Sequence, residues 1–345
     1  MPIVGGLDIH RKQLTFDYVD TVSGEVYRGQ IVPADRPHLR AWLGRFAGCD
    51  DVAFALEGCT GWRYVTEELT AAGCAAHLGE PADTAAARGR KRHAKTDKTD
   101  ARHLRQLLAE GRLPECWIPP PQILECRALL ETYHDLRRER TAWAQRIHAV
   151  FFHQGAPRLG EGALRTEAGI AALRAAAAAH LSPAGQLQVA TALDMICALD
   201  ARLYVLRHQL LHAARHLTGA RVLAARLYGA GPFAALAMTC WLAGAGRFSS
   251  ARKAVRFAGL DITVYSSDGK RTPGRLSRQG PPVLRWALYE AGKTHARACA
   301  PDHVYYAQVK DRKNGKRAAL SEARKIVRQA CHILTELGDD ALTAA

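Results

Sequence analysis

The chain has no apolar run long enough to cross a membrane. Its longest nearly apolar stretch, Phe233 to Gly246, is ended by Arg247 and falls short of the roughly 20 residues that a spanning helix needs. It has no basic leader. It opens Met1-Pro2-Ile3-Val4-Gly5-Gly6-Leu7-Asp8, so no secretory signal is expected. It has no Cys-x-x-Cys pair. Its 9 cysteines are odd in number and scattered, which excludes a disulfide framework and a zinc knuckle and suits a reducing cytosol. No internal repeat is visible. A hydrophobic content of 48% with 23% charged residues excludes disorder over most of the chain.

What the chain does have is positive charge, unevenly spread. The 345 residues carry 48 Lys and Arg against 33 Asp and Glu, a net charge of +15. Residues 1–120 balance at zero, residues 121–218 stand at +3, and residues 219–345 hold +12. A basic C-terminal third points to a polyanion partner, most often nucleic acid.

The length suggests two domains, or one with an appendage. The first 80 residues read as α/β. Short strands are expected at Ile3–Asp8, Leu14–Val19 and Glu25–Ile31, with the turn at Ser23-Gly24 favouring antiparallel neighbours. A helix follows over Arg36–Phe46, then a buried strand over Val52–Glu57, a helix over Gly61–Ala72 and a strand over Cys74–Leu78. After a basic stretch, Thr99–Glu110 reads as helix, stopped by Gly111. The prolines between Pro114 and Gln122 mark a boundary. Residues 119–218 read as a helical linker and coiled-coil-like arm, with long unbroken runs at Ile123–Phe152 and Leu187–Leu217 around a loop-rich break. Residues 219–345 open with helix, a Gly229-Ala-Gly-Pro232 turn and another helix. They continue through a Ser, Gly and Arg-rich loop over Asp261–Gly280 and return to helix up to about Leu337.

Four acids stand at element ends in the first 118 residues. Asp8 closes the first strand and Glu57 the central one, while Asp97 and Asp100 open the last helix, three residues apart on one face. Each has an ordinary use: a strand-end Asp serves turns, and a carboxylate at a helix start serves as a cap. In combination they suit magnesium, which takes oxygen ligands in octahedral geometry, and two-metal phosphoryl transfer. An RNase H-like sheet brings first strand, central strand and final helix to one edge in this way. Arg88, Arg90, Lys91, Arg92, Lys95 and Lys98 flank the acidic pair and are either phosphate contacts or a solvated basic loop.

The stretch Tyr265-Ser266-Ser267-Asp268-Gly269-Lys270-Arg271, continuing to Arg275-Leu276-Ser277-Arg278-Gln279-Gly280, sets serines among cations. That setting suits a hydroxyl attacking phosphorus, with the cations balancing developing charge, and it equally suits a turn. No histidine lies beside it to act as a base. The Gly229–Pro232 turn is either a helix–hairpin–helix phosphate contact or a packing corner.

These motifs together resemble the DEDD transposases of the insertion-sequence 110 family, the bridge-RNA-guided recombinases. Gly6-Leu-Asp8-Ile-His10-Arg-Lys12 is similar to the family's first acidic motif, Leu56-Glu57-Gly-Cys-Thr60-Gly61-Trp-Arg-Tyr64 to its Glu motif, and Lys95-Thr-Asp97-Lys-Thr-Asp100-Ala-Arg102 to its paired-Asp motif. Tyr228–Pro232 and Phe248–Leu260 resemble the helix–hairpin–helix segment and the helix after it. Ser267, counted from Gly259-Leu260, falls at the place of the nucleophilic serine. Residues 123–215 match in helical character alone.

The resemblance implies a RuvC-like (RNase H-like) catalytic domain over 1–118, a helical arm over 119–218 and a mostly α, serine-bearing transposase domain over 219–345. It implies Asp8, Glu57, Asp97 and Asp100 as Mg2+ ligands, and Ser267 as a nucleophile forming a covalent phosphoserine link in a composite site shared between protomers. It also implies nucleic-acid contacts from Lys95, Lys98, Lys270, Arg271, Arg275 and Arg278. DNA and a non-coding bridge RNA are the implied partners of a dimer or tetramer in the bacterial cytoplasm, at the nucleoid. Two departures stand out. Asp268 intervenes before Gly269 where the family has Ser-Gly, which keeps Ser266 as a rival nucleophile. Arg278 stands where Lys is usual, and its donor geometry differs. The other readings of the chain are a metal-dependent, structure-specific endonuclease in which water attacks, and a non-catalytic nucleic-acid-binding protein.

Overall fold

A computed structural model describes residues 2–89, 96–160, 162–263, 265–267, 270–272 and 274–344. The chain divides into two compact units, Met1–Ile118 and Pro119–Ala345. Among the described residues no helix is long and apolar enough to cross a membrane.

The first unit is built on a five-stranded sheet. Strands β1 (Ile3–Ile9), β2 (Leu14–Asp20) and β3 (Val26–Ile31) form an antiparallel meander. Helix α1 (Arg36–Leu43) leads to β4 (Val52–Glu57), and α2 (Trp62–Ala71) leads to β5 (Ala75–Gly79). Both of these strands run parallel to β1, and the sheet order is β3-β2-β1-β4-β5. Two further helices close the unit, α3 (Pro81–Ala87) and α4 (Asp97–Ala109). Helix α3 lies where the sequence shows only a path into the basic stretch. Glu80 caps it, accepting a hydrogen bond from the Asp83 amide at 2.7 Å, and Pro81 supplies a preset first helical residue.

Successive strand residues face opposite sides, and the two faces of this sheet are filled differently. One face carries an aromatic core of Phe16, Tyr18, Trp42, Phe46 and Phe54, with Trp42 and Phe54 centroids 5.5 Å apart. The other face is reserved for α4. A Cβ on Gly6 would lie 2.0 Å from the carbonyl oxygen of Ala101, so only glycine lets the helix backbone come this close. Ala55, beside Gly6 in the parallel ladder, packs under Leu104 and Leu107.

Helix α4 is also held electrostatically. Asp17 of β2 is 1% exposed and draws three arginines: Arg28 Nε at 2.7 Å, Arg105 Nε at 2.5 Å and Arg102 Nε at 3.6 Å. Two of the three belong to α4, so this carboxylate fixes the helix over the sheet.

The second unit is largely helical. Helices α5 (Pro121–His153) and α7 (Pro183–His216) run alongside one another, with α6 (Glu167–His180) between them in sequence. Ile147, Phe151, Leu173, Val189, Leu193 and Ile196 form their core, and Arg140 donates to Asp200 across the pair at 2.9 Å. After α8 (Thr218–Arg226), α9 (Pro232–Leu242) is buried on every side from Ala235 onward. Helices α5, α7, α8, α11 (Pro282–Lys293) and the long α13 (Gly315–Leu337) pack against it, and α10 (Ala251–Phe257) and α12 (His303–Arg312) pack on α13. The segment expected as a loop holds a hairpin, β6 (Tyr265–Ser267) paired with β7 (Lys270–Thr272).

Replacing Asp17 by Ala leaves Arg105, largely buried, without its counter-charge. Breaking a buried ion pair from one side costs about 3 kcal/mol, so a clear drop in the urea midpoint is expected. An unchanged midpoint would show that α4 is held by packing alone.

Candidate active site

The parallel register of β1 on β4 sets Leu7 opposite Leu56. The next residues, Asp8 and Glu57, therefore stand side by side at the ends of neighbouring strands. They follow Gly6 and Ala55 by two residues, so they point to the face that α4 covers. The first turn of α4 carries Asp97 and Asp100. Thr96 caps that turn, its side chain accepting from the Thr99 amide at 3.3 Å.

Two basic side chains bridge the four acids. His10 Nε2 lies 3.0 Å from Asp8 Oδ2 and 3.3 Å from Asp97 Oδ1. Arg88, at the end of α3, donates to Asp100 at 2.5 Å and stands 3.7 Å from Glu57. Gln13 adds a hydrogen bond to Asp97 at 3.0 Å. Asp8, His10 and Asp97 each offer a ligand atom within 4.8 Å of the others. Asp100 is nearly buried, whereas Asp97 is 41% exposed, so the cluster is closed at the Asp100 side and open at the Asp97 side.

Burial pushes the Asp8 carboxyl above its usual range. His10 opposes this, and the charges of Asp100 and Asp97 add to the rise. Carboxylates crowded in this way favour an added positive charge. An oxygen-rich donor set open on one side fits a hard divalent cation.

Lys98 is exposed on α4, whereas Lys95 lies outside the described residues. Arg88, read from the sequence as either a phosphate contact or part of a solvated basic loop, is turned onto Glu57 and Asp100. His10 and Gln13 were not among the expected site residues. The signal for them was a polar turn directly after Asp8, closed by the His10 amide on the Gln13 carbonyl at 3.0 Å.

In the second unit, Ser267 sits on β6, its backbone paired with Lys270, and Ser266 pairs with Arg271. The base of this ribbon continues beyond the hairpin. The Thr263 amide donates to the Arg275 carbonyl at 2.9 Å, and the Ser277 amide to the Asp261 carbonyl at 3.0 Å. The Ser277 hydroxyl is engaged by the Asp261 carboxylate. Arg275 and Arg278 are exposed. Arg278 holds φ at 56°, a left-handed conformation uncommon outside glycine.

Two family models match the chain. Residues 5–153 match a DEDD transposase model of the IS110 type, and residues 221–307 match the transposase IS116/IS110/IS902 family. No curated protein matches it. The first match holds all four acids and the second holds the serine hairpin. Both matches are to DNA transposases, a class in which the DEDD type implies use of a divalent metal, and the acid cluster has donors that could bind one. The chain belongs to the IS110 family of DEDD transposases, and its activity is that of a DNA transposase/recombinase.

Because the folded-state pKa of Asp8 is raised, its ionised form costs stability at neutral pH, and that cost disappears as pH falls through the raised value. In metal-free buffer at pH 7, Asp8→Asn should therefore melt above the wild type, and the gap should close in acid. A lower melting temperature for the variant would contradict this reading of the cluster.

Proposed function

We propose that the chain cuts and rejoins DNA strands of a mobile insertion element, using Asp8, Glu57, Asp97 and Asp100 as metal-binding acids and Ser267 as the nucleophile. The observation that carries this reading is the convergence of the four acids at one sheet end beneath α4. The strand order and the position of α4 support a RuvC-like domain over residues 1–118. Residues 119–218 are read as an arm and residues 219–345 as the serine-bearing domain.

The four carboxylates would hold Mg2+, with Arg88 and His10 giving up part of their hold on them. Magnesium, when bound, supplies positive charge to a phosphate and lowers the cost of forming an alkoxide. Asp17 and its arginines keep α4 in register, so the acids need little rearrangement. The Ser267 oxygen forms a bond to phosphorus as a P–O bond of the DNA backbone breaks. The serine proton leaves to solvent, and the departing strand end takes up a proton as a hydroxyl. Lys270, Arg271, Arg275 and Arg278 offset the negative charge that builds on the phosphate. Attack on the phosphoserine by the hydroxyl of another strand end reverses these steps and restores the serine. Lys95 and Lys98 contact the backbone near the acids. Target choice rests with a non-coding bridge RNA, and the acting species is an oligomer of the chain.

Asp100→Asn should abolish strand cleavage while leaving DNA affinity within about twofold, since one buried acid carries little of the phosphate contact. Ser267→Ala should lose both the covalent protein–DNA adduct trapped in denaturant and all joined product. Loss of the adduct in Ser266→Ala instead would move the nucleophile by one residue. Cleavage that survives in both serine variants but fails in Asp100→Asn would establish water as the nucleophile.

The +12 charge of residues 219–345 supports a second expectation. DNA affinity should fall by orders of magnitude between about 50 and 200 mM salt, measured by fluorescence anisotropy. A flat salt profile would remove that region from the DNA contact.

A further inference from the structure

The second unit buries another set of metal-type donors. His295 lies in the short turn after α11, Asp302 directly precedes α12, and Glu322 projects from α13. His295 and Glu322 are 3% and 0% exposed. Neither ring nitrogen of His295 has a hydrogen-bond partner, and neither has Oε2 of Glu322. The Tyr228 backbone is near enough to favour a charged ring but lies outside hydrogen-bonding geometry, and the Tyr228 ring meets the imidazole edge-on at 5.2 Å. Folded interiors rarely leave buried polar atoms unsatisfied, and a missing ion is one of the standard reasons when they do.

The spacing fits that reason. His295 Nδ1 and Glu322 Oε2 are 3.8 Å apart, too far for a hydrogen bond. One ligand atom from each of His295, Asp302 and Glu322 lies within 4.8 Å of the others. Zinc–nitrogen and zinc–oxygen bonds near 2.0–2.2 Å place ligand atoms about 3–4 Å apart around a tetrahedral ion. From the outer side, Lys325 Nζ reaches Asp302 at 3.4 Å and Glu322 at 3.5 Å, and it lies 3.6 Å from the centre of the Tyr305 ring. This ammonium balances the two carboxylates and leaves the imidazole unserved.

We propose that His295, Asp302 and Glu322 bind one borderline divalent transition ion of the zinc class. An imidazole with two carboxylates disfavours magnesium, which takes oxygen ligands and keeps its water, and it suits zinc, cobalt or manganese. The ion joins the end of α11, the start of α12 and the middle of α13 into one clamp. That clamp lies against the Tyr228-Gly229 turn. Gly229 holds φ at +79°, and a Cβ there would fall 2.2 Å from Thr294 Oγ1. Lys325 competes with the ion for the same two carboxylates.

The test uses the full chain carrying Asp97→Asn and Asp100→Asn, which disables the acid cluster of the first unit. The protein is stripped with chelator, loaded with Zn2+ or Co2+, desalted and assayed for metal. About one ion per chain should remain, and Co2+ should give the visible absorption of a nitrogen-containing site. Glu322→Gln and His295→Ala should weaken binding by at least about tenfold. Asp302→Asn, at the partly exposed rim, provides the same reading if the buried variants fail to fold. Lys325→Gln should tighten binding by about tenfold, because it removes the competing cation. A chain that retains no ion, or one whose retention ignores all four substitutions, would overturn the proposal and leave the cluster as an ion-pair network.

Discussion

Mutual repulsion among carboxylates at one end of the first unit's sheet is the constraint around which that unit is arranged. Asp8 and Glu57 come together because β1 and β4 are parallel and in register. Asp97 and Asp100 arrive because α4 lies directly on Gly6 and Ala55. Burying such a group favours protonation or an added cation. The protein supplies two basic side chains of its own, with His10 reaching Asp8 and Asp97 and Arg88 reaching Asp100 and Glu57. Close packing beneath α4 and the three arginines on Asp17 oppose the tendency of like charges to push the helix away. On the proposed function, stability spent here is the expected cost of a site poised for a metal ion.

The second unit uses different physics. Its core is helix on helix, and α9 is apolar all round because neighbours cover every side of it. The serine ribbon is the exception, a two-stranded hairpin continued at its base by backbone bonds between Asp261–Thr263 and Arg275–Ser277. Its cations are close neighbours of the serines in sequence and in strand register, so hydroxyl and positive charge come on one short element. The acids belong to the first unit and lie in the first family match, and the serines belong to the second unit and lie in the second match.

Much of this was legible in the sequence. Val52–Glu57 reads as a compact apolar strand and is one, and three strands preceding a helix gave the order of the first unit. The four acids could be assigned to strand ends and a helix start because period and capping signals are local. Helix α3 was missed because seven residues with three alanines in a row and a basic tail give no amphipathic stripe. Its loss hid the role of Arg88, whose guanidinium is aimed at carboxylates by the end of that helix. The β6–β7 hairpin was missed because its strands are three residues each, too short to show alternation. Asp17 looked like an ordinary strand residue, since nothing local tells that its arginines lie 11, 85 and 88 positions away.

The central claim is that Asp8, Glu57, Asp97 and Asp100 together hold divalent metal. Anomalous diffraction from crystals of the full chain soaked in Mn2+ tests it most directly. The account predicts density within bonding distance of Asp8 and of at least one α4 carboxylate, with Arg88 drawn away from Asp100. An acid cluster still locked to His10 and Arg88, without anomalous density at saturating Mn2+, would contradict it.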